Sequence, residues 1–120
     1  MRATRWPAVH NDVSRHMEAW EPISAAELTE LISQQLRDCE PELRAVFETY
    51  KIEPFRAPID RYGREERVFV VARKGDEVMY FEDVEEGFNF SRISADGRIV
   101  EHWCNQDELK HALRRWVPAS

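Results

Sequence analysis

Apolar and polar positions along this chain change their period twice, and the changes mark off helical, extended and again helical parts. From Ser24 to Tyr50 the apolar residues recur at helical spacing: Leu28, Leu31, Ile32 and Leu36 first, then Leu43, Val46, Phe47 and Tyr50 at i, i+3, i+4 and i+7. Ser24-x-x-Glu27 has the form of a capping box, in which the hydroxyl takes one free helix N–H and the carboxylate returns to the Ser24 N–H. Pro41 has no N–H and would clash with the carbonyl of Arg37 inside a continuous helix, which predicts a break over Asp38 to Glu40 and a fresh start at Pro41. Leu36, Cys39 and Leu43 keep the helical spacing across the proline, so one long kinked helix is the alternative.

After Lys51 the period shortens. Pro54 and Pro58 predict an edge-like strand from about Ile52 to Ile59, since proline cannot donate the N–H that a central strand must supply. Arg67 to Arg73 is valine-rich and bounded by turn residues, which predicts a strand buried on both faces. Lys74-Gly75-Asp76 turns the chain, Glu77 to Glu82 returns as a strand with Met79 and Phe81 on one side and Val78 and Tyr80 on the other, and Glu85 to Gly87 turns again before Phe88 to Ile93. Ser94-Ala95-Asp96-Gly97 has the composition of a type I turn closed by a glycine bulge. That loop sets Ile93 opposite Ile99 and Phe90 opposite His102, whereas a tighter Asp96-Gly97 loop sets Phe90 opposite Trp103; the sequence leaves both registers open.

A last helix is predicted from Asn105, where Asn105-x-x-Glu108 resembles a second capping box, to just before Pro118, with Leu109, Ala112, Leu113 and Trp116 as its buried stripe. Residues 1 to 23, punctuated by Pro7 and Pro22, read as a peripheral arm or a short helix from about Asn11 carrying Val13, Met17 and Trp20. The expected architecture is a single α+β domain over 1–120: N-terminal helices over 24–50, a four- to five-stranded antiparallel meander sheet over 52–104, and a C-terminal helix over 105–117.

Charge adds one localised feature. Gly75 to Ser91 holds six carboxylates and no Lys or Arg, so its charge of -6 equals the net charge of the 120-residue chain. An acidic balance argues against nucleic acid as a partner, because phosphate binding rests on Lys and Arg. The longest apolar run, Val68 to Ala72, is far too short for a membrane helix. The N-terminus has no continuous hydrophobic core of a secretory signal, which makes the cytoplasm the expected compartment. Two cysteines, Cys39 and Cys104, are too few for a disulfide framework and are expected as reduced, buried thiols. Phosphate-cradling, nucleophile-elbow and metalloprotease motifs are missing, and only four glycines occur, each explicable as a turn, so no cofactor is expected.

Three candidate chemistries follow. Tyr80, Glu82, Asp83, Glu85, Glu86 and Phe88 combine steering charge with aromatic anchors, the pattern of a surface that recognises a basic protein partner, as an inhibitor or immunity-type domain would. The same alternation is also what core packing plus a solvated turn masked by Arg64, Arg67 or Arg92 would produce. As a calcium loop the stretch fails, because aligning Gly87 with the required glycine puts Val84 and Ile93 where ligands are needed. The second candidate is His102 with Cys104, a pair that could serve a metal- or thiol-dependent hydrolase; His111, nearly opposite the buried stripe of its helix, is expected in solvent and too far round to join them. The third is a structural homodimer, in which Lys110, His111, Arg114 and Arg115 of the last helix meet the acidic stretch of a second copy.

Overall fold

The computed structural model describes residues 23–61, 63–82, 86–102 and 106–118. Helix α1 spans Ala25–Arg37 behind the capping box read from sequence: Ser24 Oγ accepts from the Glu27 N–H at 3.1 Å, and Glu27 Oε1 accepts from the Ser24 N–H at 2.9 Å. The chain leaves the helix at Asp38, and Pro41 opens a separate helix α2, Pro41–Tyr50, at its first position, where a missing N–H costs nothing. The long kinked helix is therefore not formed. Arg44 of α2 donates to the carbonyls of Leu36 and Cys39, satisfying acceptors that the end of α1 leaves open.

Four strands follow as a meander: β1 Lys51–Arg61, β2 Arg64–Lys74, β3 Glu77–Glu82 and β4 Gly87–Arg92, ordered β1-β2-β3-β4 with every neighbouring pair antiparallel. The α+β class expected from the sequence is the class observed. A bulge in β2 lets Val70 oppose Tyr80 and Ala72 oppose Met79, leaving Val71 as the extra residue. Strict alternation breaks there, and Val68 through Ala72 are all buried: Val68 and Val70 in one cluster, Phe69, Val71 and Ala72 in another.

These clusters are the two faces of the sheet. On one, Phe69, Val71, Met79, Phe81 and Phe88 pack against Leu28 and Ile32 of α1, Leu43, Val46 and Phe47 of α2, and the C-terminal residues Leu109, Leu113 and Trp116. On the other lie Ala57, Ile59, Val68, Val70, Val78 and Tyr80, closed over by Ile99. Ile99 is bridged to both outer strands, parallel to Ile59 of β1 and antiparallel to Ile93 just past β4. Its N–H donates to the Pro58 carbonyl at 2.9 Å, while the neighbouring Val100 N–H donates to Arg92 O at 3.3 Å. The segment around Ile99 thus joins the two edges of the sheet, which curls around its second cluster. Pro58 lies on an outward-facing rung of β1, where its carbonyl is used and its absent N–H is not missed.

The turn before this segment decides the register. Gly97 N–H donates to Ser94 O and Ser94 N–H to Arg98 O, both at 2.9 Å, with Gly97 at φ 84°, the left-handed position of a glycine bulge. Ile93 therefore faces Ile99, the first of the two registers the sequence allowed.

The last helix departs from expectation. Helix α3 covers only Leu109–Leu113 and runs on as a 3₁₀ turn, Arg114–Trp116; its cap residue is Glu108, not Asn105. The chain ahead of it is held extended beside β4, where Asp107 O accepts from the Phe88 N–H at 3.0 Å, and the open Leu109 N–H is taken by the side chain of Gln35 from α1 at 2.6 Å. A partner 74 positions away replaces the local cap. The buried stripe Leu109, Ala112, Leu113 and Trp116 is as read from the sequence. No helix among the described residues is long and apolar enough to cross a membrane.

Candidate functional site

The acidic stretch comes apart in three dimensions. Tyr80, Glu82 and Phe88 are 0%, 0% and 1% exposed, so three of the six residues that the pattern grouped as a recognition surface face the interior. Phe88 packs on Phe81 with ring centroids 5.1 Å apart, within the helix-covered face. Tyr80 lies on the opposite face and donates from its hydroxyl to Glu101 O at 3.3 Å. The cause is that both faces of β3 and β4 are covered, one by helices and one by the returning 98–102 segment; the second cover is not legible in local alternation. Glu86, directly ahead of β4, is half-buried with φ 60°. Asp83 and Glu85 lie outside the described residues, as do Cys104 and the N-terminal arm. Glu77 of this stretch is met by a cation other than the three expected: Arg115 reaches Glu77 Oε2 at 2.6 Å, and the Trp116 indole N–H donates to Glu77 Oε1 at 2.7 Å. Burial alone would raise the Glu77 carboxyl, but these hydrogen bonds outweigh it and hold it below the usual carboxylate range. The basic face of the last helix is correspondingly reduced: His111 and Arg114 are exposed, while Arg115 is spent on Glu77 and lies over the Phe90 ring at 5.1 Å.

Glu82 ends β3 with its carboxylate fully withdrawn from water, and His102 Nε2 lies 3.5 Å from its Oε2. The His102 side chain is 20% exposed and lines a cavity of about 360 Å³. Ile59, Ile99 and Val100 form the apolar wall of this cavity, and Asp60, Ser94, Asp96 and Arg98 its polar rim.

The rim is tied together by the glycine-bulge turn. Ser94 Oγ accepts from the Arg98 N–H at 3.0 Å and donates to the Asp96 carboxylate, which holds the Asp96 carboxyl below its ordinary range. Arg98 reaches Asp60 Oδ1 at 3.2 Å and Glu65 Oε1 at 3.0 Å; its guanidinium is held charged chiefly by the hydrogen bond to Glu65. Three carboxylates, Asp60, Glu65 and Asp96, thus surround one guanidinium at the mouth of the cavity. These pairs gather the charges at the mouth of the cavity, where solvent screens most of their energy.

Behind the rim the 98–102 segment is held by hydrogen bonds. Ser91 Oγ accepts from the N–H groups of Val100 at 3.1 Å and Glu101 at 2.9 Å, and Glu101 Oε1 accepts from the Arg92 N–H at 3.1 Å.

Of the sequence candidates, Glu82 and His102 are brought together, although the pattern had assigned them to different chemistries. Among the described residues no group of three or more His, Cys, Asp or Glu is placed to hold a metal ion. Cys39 is a buried free thiol whose ionisation burial pushes up, the opposite of an activated nucleophile. Asp60, Glu65, Asp96 and Arg98 were missed because Asp60 and Arg98 are 38 positions apart and no local pattern joins them. The available clue was the turn itself: once Ile93 faces Ile99, the turn must fold its polar residues back toward the edge strand. Comparison of this chain with protein-family models, with curated proteins and with solved structures finds no match.

Proposed function

We propose that this protein is a small non-enzymatic binding domain that recognises a basic protein partner, in the manner of an inhibitor or immunity-type domain acting in the cytoplasm. The observation that carries this reading is the rim of Asp60, Glu65 and Asp96 around Arg98, exposed and anchored at the mouth of a cavity. Exposed carboxylates on a rigid frame raise association rates and select the sign of a partner's charge. Asp83, Glu85 and Glu86, the other acids of the sequence candidate, belong to the proposal by their charge alone; Tyr80, Glu82 and Phe88 are interior and do not touch the partner.

The test compares two charge-reversed proteins, Asp60→Lys with Glu65→Lys and Asp96→Lys, and Asp83→Lys with Glu85→Lys and Glu86→Lys, in affinity capture followed by identification of what is retained. The expected result is a basic protein held by the wild type, weakened by salt and lost from the rim variant. Capture that is indifferent to both reversals would sink the reading.

The Glu82–His102 contact favours one second reading, a hydrolase in which the carboxylate orients the imidazole as a general base beside the cavity. Ser94, the hydroxyl that lines this cavity, is already engaged by Asp96 and Arg98, so the nucleophile would have to be Cys104 or water. Hydrolysis of an ester panel that is abolished by His102→Ala would establish this alternative.

A further inference from the structure

The cavity behind the rim has a more specific chemistry than the rim alone. We infer that it is a specificity pocket for one lysine side chain of the basic partner, an inference that rests on the binding-domain reading above. Its volume of about 360 Å³ falls within the roughly 300–1,000 Å³ of pockets that enclose small ligand groups. The lining is divided by character: Ile59, Ile99 and Val100 offer a wall along which an unbranched aliphatic stem is desolvated, and Asp60 and Asp96 stand at the polar side. Long cationic side chains bury their methylenes in this way while the charged head stays with carboxylates or water.

The hydrogen bonds already present select the kind of cation. Asp60 accepts from Arg98 through Oδ1, and Asp96 accepts from Ser94 through Oδ1. Asp96 is also bonded by its own backbone N–H, so each carboxylate is already turned by a fixed donor, and the two stand on separate elements rather than presenting two parallel oxygens to one planar fork. A compact ammonium with three freely rotating donors suits two such acceptors; a guanidinium, which prefers a bidentate carboxylate, does not. Arg98 moreover fills the guanidinium position of the rim itself, bound to both Asp60 and Glu65. Val100, 46% exposed, marks the open side from which the stem enters.

The experiment uses the full chain and three probes: N-acetyl-lysine methylamide, its arginine counterpart and its norleucine counterpart, each titrated while backbone amide shifts are followed by NMR. The expected result is saturable shifts confined to residues 59–60 and 94–102, with the lysine probe binding at least tenfold more tightly than either other probe. Val100→Trp, which fills the pocket mouth from an exposed position, should abolish those shifts while leaving the rest of the spectrum in place. Asp96→Asn, also at an exposed position, should weaken the lysine probe at least fivefold. Equal binding of norleucine, a preference for arginine, shifts spread over the surface, or an undiminished response in either variant overturns the inference. Its failure is separable from failure of the wider reading. Partner capture that is lost on rim reversal but kept in Val100→Trp discards the lysine pocket alone; capture insensitive to rim reversal discards the surface, and the lysine probe then reports on the cavity by itself.

Discussion

Glu77 and Glu82 begin and end the same strand, carry the same charge, and are stabilised by opposite means. Glu77 belongs to the helix-covered face, where shape dominates: Trp116 packs edge-on against both Tyr50 and Phe90 at centroid distances of 5.3 and 5.1 Å, and the Glu77 carboxylate merely ties the end of this stack. Glu82 belongs to the curled face, where a thinner apolar cluster is closed by a single returning segment held through Ser91, Tyr80 and the His102 contact. One face is large enough to be held by burial. The other is held by directional bonds, and it is also the face that opens into a cavity. Precise polar placement is what a recognition site needs, and a face closed by hydrogen bonds provides it without a thick core.

This contrast can be broken most decisively at Trp116. Trp116→Ala removes a nearly fully buried indole that touches two aromatic rings, and a loss of about 3–5 kcal/mol is expected in denaturant unfolding, the usual cost of deleting a large core side chain. A loss under about 1 kcal/mol would mean that packing does not hold the helix-covered face. Ser91→Ala tests the other face. It strips the side-chain acceptor from the Glu101 N–H and one of the two acceptors of the Val100 N–H, and should cost about 1–3 kcal/mol, with faster amide exchange at Glu101 and Val100 than at the helices. Uniform exchange across both faces would erase the distinction.

Tyr80→Phe keeps the ring in the curled cluster and removes only the hydroxyl donor to Glu101 O; the expected cost is about 0.5–1.5 kcal/mol. A change beyond that range would show that the hydroxyl does more than fasten the segment. The smallest effect is expected from Glu77. Its carboxyl is held below the ordinary value, so its contribution is present above that value and is lost as pH falls through the lowered one. Thermal unfolding of the wild type and Glu77→Gln should therefore differ by no more than about 1 kcal/mol near neutrality, given partial solvent screening, and converge in acid. A difference that persists in acid would assign the effect to the Trp116 hydrogen bond instead of to charge.

Much of the fold was legible because its cues are local. The capping box at Ser24, the break at Pro41, the glycine turns and the alternation of Met79 and Phe81 against Val78 and Tyr80 each depend on a handful of neighbouring residues, and each is realised. The start of the last helix was misread for the complementary reason. Asn105-x-x-Glu108 is a sound local cap pattern, but Asp107 is bonded to β4, and the helix starts only at Leu109, whose N–H is taken by Gln35. The candidate site was legible only in fragments: Glu82 and His102 were both singled out, yet not as partners, and the rim around Arg98 was read simply as a turn.

By itself, then, the chain's order of residues determined the class of fold, the element order, the apolar stripes, the edge strand that holds Pro54 and Pro58, and the concentration of acid between Gly75 and Ser91. Those properties follow from backbone sterics and from periodicities of two and 3.6 residues, which act over short distances. Tertiary structure alone decided which carboxylates are exposed, how the sheet closes on itself through Ile99, and which charges meet at the cavity. These depend on contacts between residues tens of positions apart, where each strand offers two faces and only the packed molecule determines what covers the second.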